Sequence, residues 1–178
     1  MSDTGVLLVL GGARSGKSVF AEQRVHASGL TKVYVATGQA WDDEMKVRIA
    51  QHQSRRGKDW TTVEAPEALG EVVSAQAKPG SIVLVDCLTL WINNLMMAER
   101  DLAEAFDDLA TRLGTLAGSV VLVSNEVGLG IVPENPLARR FRDAQGQLNQ
   151  RMAALADEVV FVAAGLPMTL KDRSSVAV

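Results

Sequence analysis

Five short runs of Val, Ile and Leu dictate what this chain can fold into: "VLLVLG" from Val6, "KVYVAT" from Lys32, "SIVLVDC" from Ser81, "SVVLVSN" from Ser119 and "EVVFVAAG" from Glu158. None is long enough to be a helix of ordinary length, and most lack the apolar–polar alternation of a strand with one wet face. They read as strands buried on both sides. The stretches between them carry apolar residues at three- and four-residue spacing, so the order is βαβα, a mostly parallel sheet with helices on both faces. The last piece, "AGLPMTLK", carries Gly165 and Pro167 and reads as a short antiparallel or edge strand. With 178 residues the chain can bury one core and not two comfortable ones, so residues 1–178 are expected to form a single domain.

Composition narrows the function classes. Hydrophobic residues at 47% and charged residues at 22% are ordinary for a globular chain. A net charge of -3 and a pI near 5.4 argue against a general electrostatic grip on nucleic acid or an anionic membrane, so any positive site has to be local. Cys87 stands alone, which rules out an intrachain disulfide. The apolar start "GVLLVLGG" is too short for a signal peptide or a membrane span, and the cytoplasm is the expected compartment.

Between the first strand and the helix beginning near Lys17 lies "GGARSGKS", residues Gly11, Gly12, Ala13, Arg14, Ser15, Gly16, Lys17 and Ser18. The spacing is that of a phosphate-binding loop: backbone N–H groups and a helix N-terminus cradle an anion, Lys17 reaches the β- and γ-phosphates, and the Ser18 hydroxyl ligates Mg²⁺. A dinucleotide fingerprint would need glycine where Ala13 stands. The implied architecture is an α/β fold of P-loop NTPase type, RecA-like. Such a loop needs a second group for Mg²⁺, normally an acid closing a neighbouring buried strand, and Asp86 closes "SIVLVD". The bland alternative is that Asp86 caps the helix starting at Leu88.

Two other stretches leave alternatives open. Asp42 to Ser54 reads as a helix with Asp42, Asp43 and Glu44 at its start and Arg55 and Arg56 just past its end, as the macrodipole prefers. His52 at its end is either a semi-buried helix residue or a neutral imidazole nucleophile beside cations that stabilise a phosphoryl group. "CLTLWINNLMM", Cys87 to Met97, is apolar on nearly every face, so either the core or a second subunit must cover it; Trp91, Met96 and Met97 suit an interface.

"GGARSGKSVFAE", "VYVATGQAWDDEMKVRIAQHQSRRGKDWTTVEAP", "VLVDCLTLWINNL" and "VSNEVGLGIVPENPLARRFRDAQGQLNQRMAALADEVVFVAAGLP" together resemble the bifunctional adenosylcobinamide kinase/adenosylcobinamide-phosphate guanylyltransferase family of cobalamin biosynthesis. The resemblance covers nearly the whole chain. It implies phosphorylation of adenosylcobinamide by ATP or GTP, then transfer of GMP from GTP onto that phosphate through a GMP–histidine, with His52 matching the histidine. It further implies nucleotide contacts at Gly11 to Ser18, at Ala36, Thr37 and Gly38, at Gln53, Ser54, Arg55 and Arg56, and at Glu64 and Asp86, with Mg²⁺ accompanying the nucleotide. Charge suits the arginines to phosphate, and the Glu64 carboxylate to guanine N–H groups or a ribose hydroxyl; an exposed strand-end acid is its alternative. Some family members carry Glu where this chain has Asp86, so the metal contact is direct or through water. The family also suggests a homotrimer.

Asn125 and Glu126, just past the fourth run, fall at the sheet end where open α/β folds bind ligands, and could touch metal, a nucleophilic hydroxyl or the corrinoid side chain. Arg139, Arg140, Arg142 and Asp143 on the next helix read as a solvated or intersubunit face. The competing functions are a kinase for another small alcohol, with His52 structural, and a nucleotide-driven assembly or nucleic-acid module. The acidic balance and the lack of a basic, aromatic-interleaved stripe weigh against the latter.

Overall fold

The five runs become strands of one seven-stranded sheet in the computed structural model, which describes residues 5–39, 57 and 59–172. In chain order the elements are β1 (Val6–Gly11), α1 (Lys17–Ser28), β2 (Thr31–Ala36), β3 (Trp60–Glu64), α2 (Leu69–Gln76), β4 (Ser81–Asp86), α3 (Leu88–Met97), α4 (Leu102–Leu113), β5 (Ser119–Asn125), α5 (Pro136–Leu155), β6 (Glu158–Ala163) and β7 (Leu166–Lys171). The strand order is β3-β2-β4-β5-β1-β6-β7. Every neighbouring pair is parallel except β6 and β7, where the Gly165–Pro167 segment returns as the expected antiparallel edge.

Successive side chains of a strand point to opposite faces, and the core divides accordingly. Leu8, Leu10, Val83, Val85, Val120 and Leu122 pack with Leu69, Leu88, Trp91, Leu109 and Leu148, so α2 to α5 cover one face. Leu7, Val9, Ile82, Leu84, Val121 and Val123 pack with Ala21 and Val25 of α1 on the other. Arg24 donates to both carboxylate oxygens of Glu158 at 2.7 and 2.6 Å and ties α1 to β6. This fork geometry holds the helix that follows the phosphate loop against its strand.

One parallel strand lies outside the five apolar runs. Trp60–Glu64 sits at the sheet edge with Thr61, Thr62 and Glu64 exposed, so it needs no continuous apolar run. The helix expected from Asp42 to Ser54 lies outside the described residues. The choice left open at Cys87–Met97 falls to the chain's own core: Leu88, Trp91, Ile92 and Leu95 are buried, and Trp91 packs on Phe106 of α4 with ring centroids 5.9 Å apart. Met96 is half-buried, and only Met97 among the three interface candidates stands well exposed. The apolar helix therefore gives no reason to invoke a second subunit.

The centre of the sheet should dominate stability. Leu122→Ala, at a fully buried position of β5, is expected to cost about 2–5 kcal/mol in urea unfolding, whereas Arg112→Ala, which removes a surface i,i+4 pair with Asp108, should cost under about 0.5 kcal/mol. Equal losses would show that the central strands do not carry the fold.

Candidate nucleotide-binding site

The six parallel strands end at one edge, and their register fixes which residues meet there. Gly11 pairs with Asn125 on one side and Val162 on the other, Asp86 pairs with Ala36 and Val123, and Ala36 pairs with Glu64. The edge thus presents the phosphate loop, Asn125, Asp86, Ala36 and Glu64 in that order across the sheet.

The loop turns where a side chain has no room. A Cβ on Gly11 would lie 2.5 Å from both Ser15 Oγ and the Val162 carbonyl oxygen. Gly16 has φ 95°, a left-handed conformation that disfavours any other residue, and its own Cβ would press on Gly165. The Gly165 N–H donates to the Ser15 carbonyl at 2.8 Å, so the β6–β7 turn braces the loop from behind. Helix α1 starts without a side-chain cap, whereas Asp101 and Asn135 cap α4 and α5. Its first N–H groups and its positive end are left for an anion.

Lys17 is buried, and its ammonium donates to the Gly12 carbonyl at 3.0 Å. Burial lowers its pKa, and Cys87 and Asp86 pull it partly back up, which places the Asp86 carboxylate within the field of the lysine. Unfolded lysine holds its proton up to about 10.5, so stability from this site rises with pH only above the lowered folded value; at neutral pH the desolvated charge exerts its full cost. The Ser15 hydroxyl is buried without a partner among the described residues, and Ser18 is half-buried. The Cys87 thiol is pushed up to about 11, chiefly by burial and next by Asp86, and stays neutral.

Asp86 does not cap α3: the N-cap is Cys87, and no side chain closes that helix end. The half-buried acid at the tip of β4 and the Ser18 hydroxyl at the start of α1 have the chemistry of a Mg²⁺–triphosphate partner set. Among the described residues no group of three or more His, Cys, Asp or Glu could hold a metal.

Polar clamps hold the tips in place. Thr37 Oγ1 donates to the Cys87 carbonyl at 2.6 Å and accepts from its N–H at 2.9 Å, while Asn94 Nδ2 donates to the carbonyls of Thr37 at 2.7 Å and Pro66 at 3.0 Å. Gly38 lies against Leu90 of α3. Under β5, Gln145 and Asn149 of α5 bond Ser124, and Asn149 Nδ2 donates to the Asn125 carbonyl at 3.0 Å. Thr89, Asn94, Gln145 and Asn149 were not singled out from the sequence; the available signal was a polar residue among the apolar positions of a helix's core-facing side.

Glu64 is exposed at the end of edge strand β3, so its expected alternative, a strand-end acid, describes its position. It stands four strand spacings from Gly11, roughly 19 Å, and shares one nucleotide with the loop only if that nucleotide lies extended along the edge. His52, Gln53, Ser54, Arg55 and Arg56 lie outside the described residues. Arg139 donates to the carbonyls of Pro133 at 2.9 Å and Glu134 at 2.6 Å, a structural task, and Arg142 pairs with Asp143.

Comparison with known proteins decides the family. The family model described as cobinamide kinase / cobinamide phosphate guanyltransferase matches residues 7–170. The chain belongs to that family. It is 48% identical over 166 residues to the bifunctional adenosylcobalamin biosynthesis protein CobP of Pseudomonas aeruginosa, covering 92% of this chain and 96% of that one. It is 41% identical to the bifunctional protein CobU of Salmonella typhimurium, covering 93% and 99%. In fold it is similar to the flagellar accessory protein FlaH of Methanocaldococcus jannaschii (TM-score 0.55, 12% identity, 96% of this chain and 79% of that one). It is also similar to a solved ATPase domain (TM-score 0.53, 14% identity, 97% and 78%). These two likenesses are of fold alone, and they agree with the P-loop NTPase-type sheet that the family's loop sits on.

A buried ammonium on a phosphate loop sets up an exchange between stability and binding. Lys17→Met removes the desolvated charge and keeps the chain length, so its Tm without nucleotide should equal or exceed the wild type's. Wild-type protein with Mg²⁺–GTP at a hundred times Kd should gain about 2.7 kcal/mol, and the variant should lose most of that gain. Thermal melts with and without nucleotide check this; an undiminished gain in Lys17→Met would remove the lysine from the site.

Proposed function

We propose that this chain catalyses both reactions in its family's description: phosphorylation of the aminopropanol hydroxyl of adenosylcobinamide by ATP or GTP, then transfer of GMP from GTP onto the resulting phosphate. The products of the second step are adenosylcobinamide-GDP and pyrophosphate. The observation that carries this reading is the family match over residues 7–170 on a chain whose phosphate loop is fully formed, with Lys17 in the field of Asp86.

In the first reaction the loop N–H groups and the α1 N-terminus bind the triphosphate, and Lys17 leaves the Gly12 carbonyl for the β- and γ-phosphate oxygens. Ser18 and Asp86 hold the Mg²⁺, which supplies charge neutralisation on the phosphates. Ala36 ends β2, Thr37 and Gly38 follow it, and Glu64 closes β3, on the side of the edge where a guanine would reach. In the second reaction the neutral imidazole of His52 attacks the α-phosphorus of GTP. A P–N bond forms, the bond from that phosphorus to the α,β-bridging oxygen breaks, and pyrophosphate leaves. The phosphate of adenosylcobinamide phosphate then displaces the imidazole. In this reading Gln53 and Ser54 contribute nucleotide contacts, and Arg55 and Arg56 offset charge on the phosphoryl oxygens.

The working form in this reading is a homotrimer in the cytoplasm, with no nucleic-acid partner. Among the described residues no helix is long and apolar enough to cross a membrane.

Incubation with GTP labelled at the α-phosphate tests the covalent step. Wild-type protein should gain the mass of GMP in an acid-labile, base-stable linkage, with labelling that falls below about pH 6.5 as an ordinary imidazole protonates. His52→Asn should lose labelling and GMP transfer while keeping phosphorylation of adenosylcobinamide. Intact-mass spectra in which both proteins carry GMP, or neither does while GMP transfer proceeds, would overturn the assignment.

A further inference from the structure

Asn125 ends β5, the strand that lies between the strand carrying the phosphate loop and the strand ending in Asp86. Its backbone is held at every side. Its N–H donates to Thr89 Oγ1 at 2.9 Å, its carbonyl accepts from Asn149 Nδ2 at 3.0 Å, and the next residue's N–H donates to the Gly11 carbonyl at 3.1 Å. Its side chain makes no hydrogen bond among the described residues, and Oδ1 is buried. A buried amide oxygen left unpaired is costly. Rotation about χ2 turns either amide atom outward without breaking a bond.

Asp86 ends β4 on one side of β5, Lys17 opens the helix that follows β1 on the other, and the two lie within each other's field, so the space over the β5 tip is where the γ-phosphate and its acceptor would meet. Phosphate oxygens accept hydrogen bonds, and the loop and Lys17 already supply donors for them. What lacks a partner there is the incoming alcohol's O–H. Asp86 is committed to the metal in the reading above, and Glu126 accepts the Gly128 N–H at 2.6 Å.

We infer that the Asn125 carboxamide oxygen receives the hydroxyl of the phosphoryl acceptor and aims its oxygen at the γ-phosphorus. This rests on the kinase reaction proposed above. The amide orients and takes no proton: the hydroxyl oxygen bonds to the γ-phosphorus, the bond to the β,γ-bridging oxygen breaks, the nucleoside diphosphate leaves, and the hydroxyl proton passes to a transferred phosphoryl oxygen. Asn149 and Thr89 act as positioning residues, because they fix the backbone from which the carboxamide projects.

Steady-state phosphorylation of adenosylcobinamide by wild type, Asn125→Leu and Asn125→Asp tests this, with Tm and the Kd of Mg²⁺–ATP measured on each. Asn125→Leu keeps the side chain's size and removes the acceptor; its kcat should fall about 10- to 100-fold, with the nucleotide Kd within about threefold and the Tm no lower than wild type's by more than a few degrees. Asn125→Asp keeps an acceptor oxygen and should recover most of that kcat. A lower kcat for Asn125→Asp than for Asn125→Leu would mean that the amide donates to phosphate, and would overturn the inference. Losses in both variants that track Tm or nucleotide Kd would overturn it as well, in favour of a structural role. Inactive wild-type protein would instead sink the kinase reading itself, and this inference with it.

Discussion

The turn from β1 into α1 has to bring several backbone N–H groups to one point, and it does so by closing on itself until no side chain fits at Gly11 and only a left-handed residue fits at Gly16. That turn is held between two neighbours. On one side the Glu126 N–H reaches the Gly11 carbonyl, and on the other the Gly165 N–H reaches the Ser15 carbonyl. The buried runs of β1, β5 and β6 supply the rigidity behind it: the strands are paired along their length, so their ends cannot shift independently. Catalysis by placement and charge, which is what phosphoryl transfer chiefly needs, depends on that fixed edge.

Fixing the edge also concentrates unfavourable terms there. A desolvated ammonium, a buried serine hydroxyl and a buried amide oxygen, the latter two without partners among the described residues, collect within the tips of β1 and β5 and the start of α1. Other buried polar groups near the strand tips are clamped, as at Thr37, Asn94, Ser124 and Asn149. Such a distribution is expected where a protein gives up stability locally for binding and recovers it in a core of Val, Ile and Leu.

The sheet was legible because five of its strands are buried on both faces and leave an unbroken apolar run, and the phosphate loop because its glycines and Lys17 stand at a spacing that only one task requires. Strand β3 was not among those runs, since an edge strand with exposed Thr61 and Thr62 carries no such signal. The burial of α3 was left open because "CLTLWINNLMM" fits a core and an interface equally, and the choice depends on α4 and α5, which pack over it only in three dimensions. At the site, Lys17 and Asp86 follow from local pattern. The roles of Thr89, Gln145 and Asn149 do not, since each is defined by a strand tip 21 to 36 residues away.

One phosphate loop, loaded through Lys17 and faced by Asp86, is where the triphosphate should bind. A crystal structure with Mg²⁺ and a non-hydrolysable GTP analogue tests it most directly. The triphosphate should lie on the N–H groups of Gly11–Ser18, with the Lys17 ammonium moved from the Gly12 carbonyl to the β- and γ-phosphate oxygens and Asp86 facing the metal. A nucleotide bound elsewhere, with Lys17 still on Gly12, would contradict it.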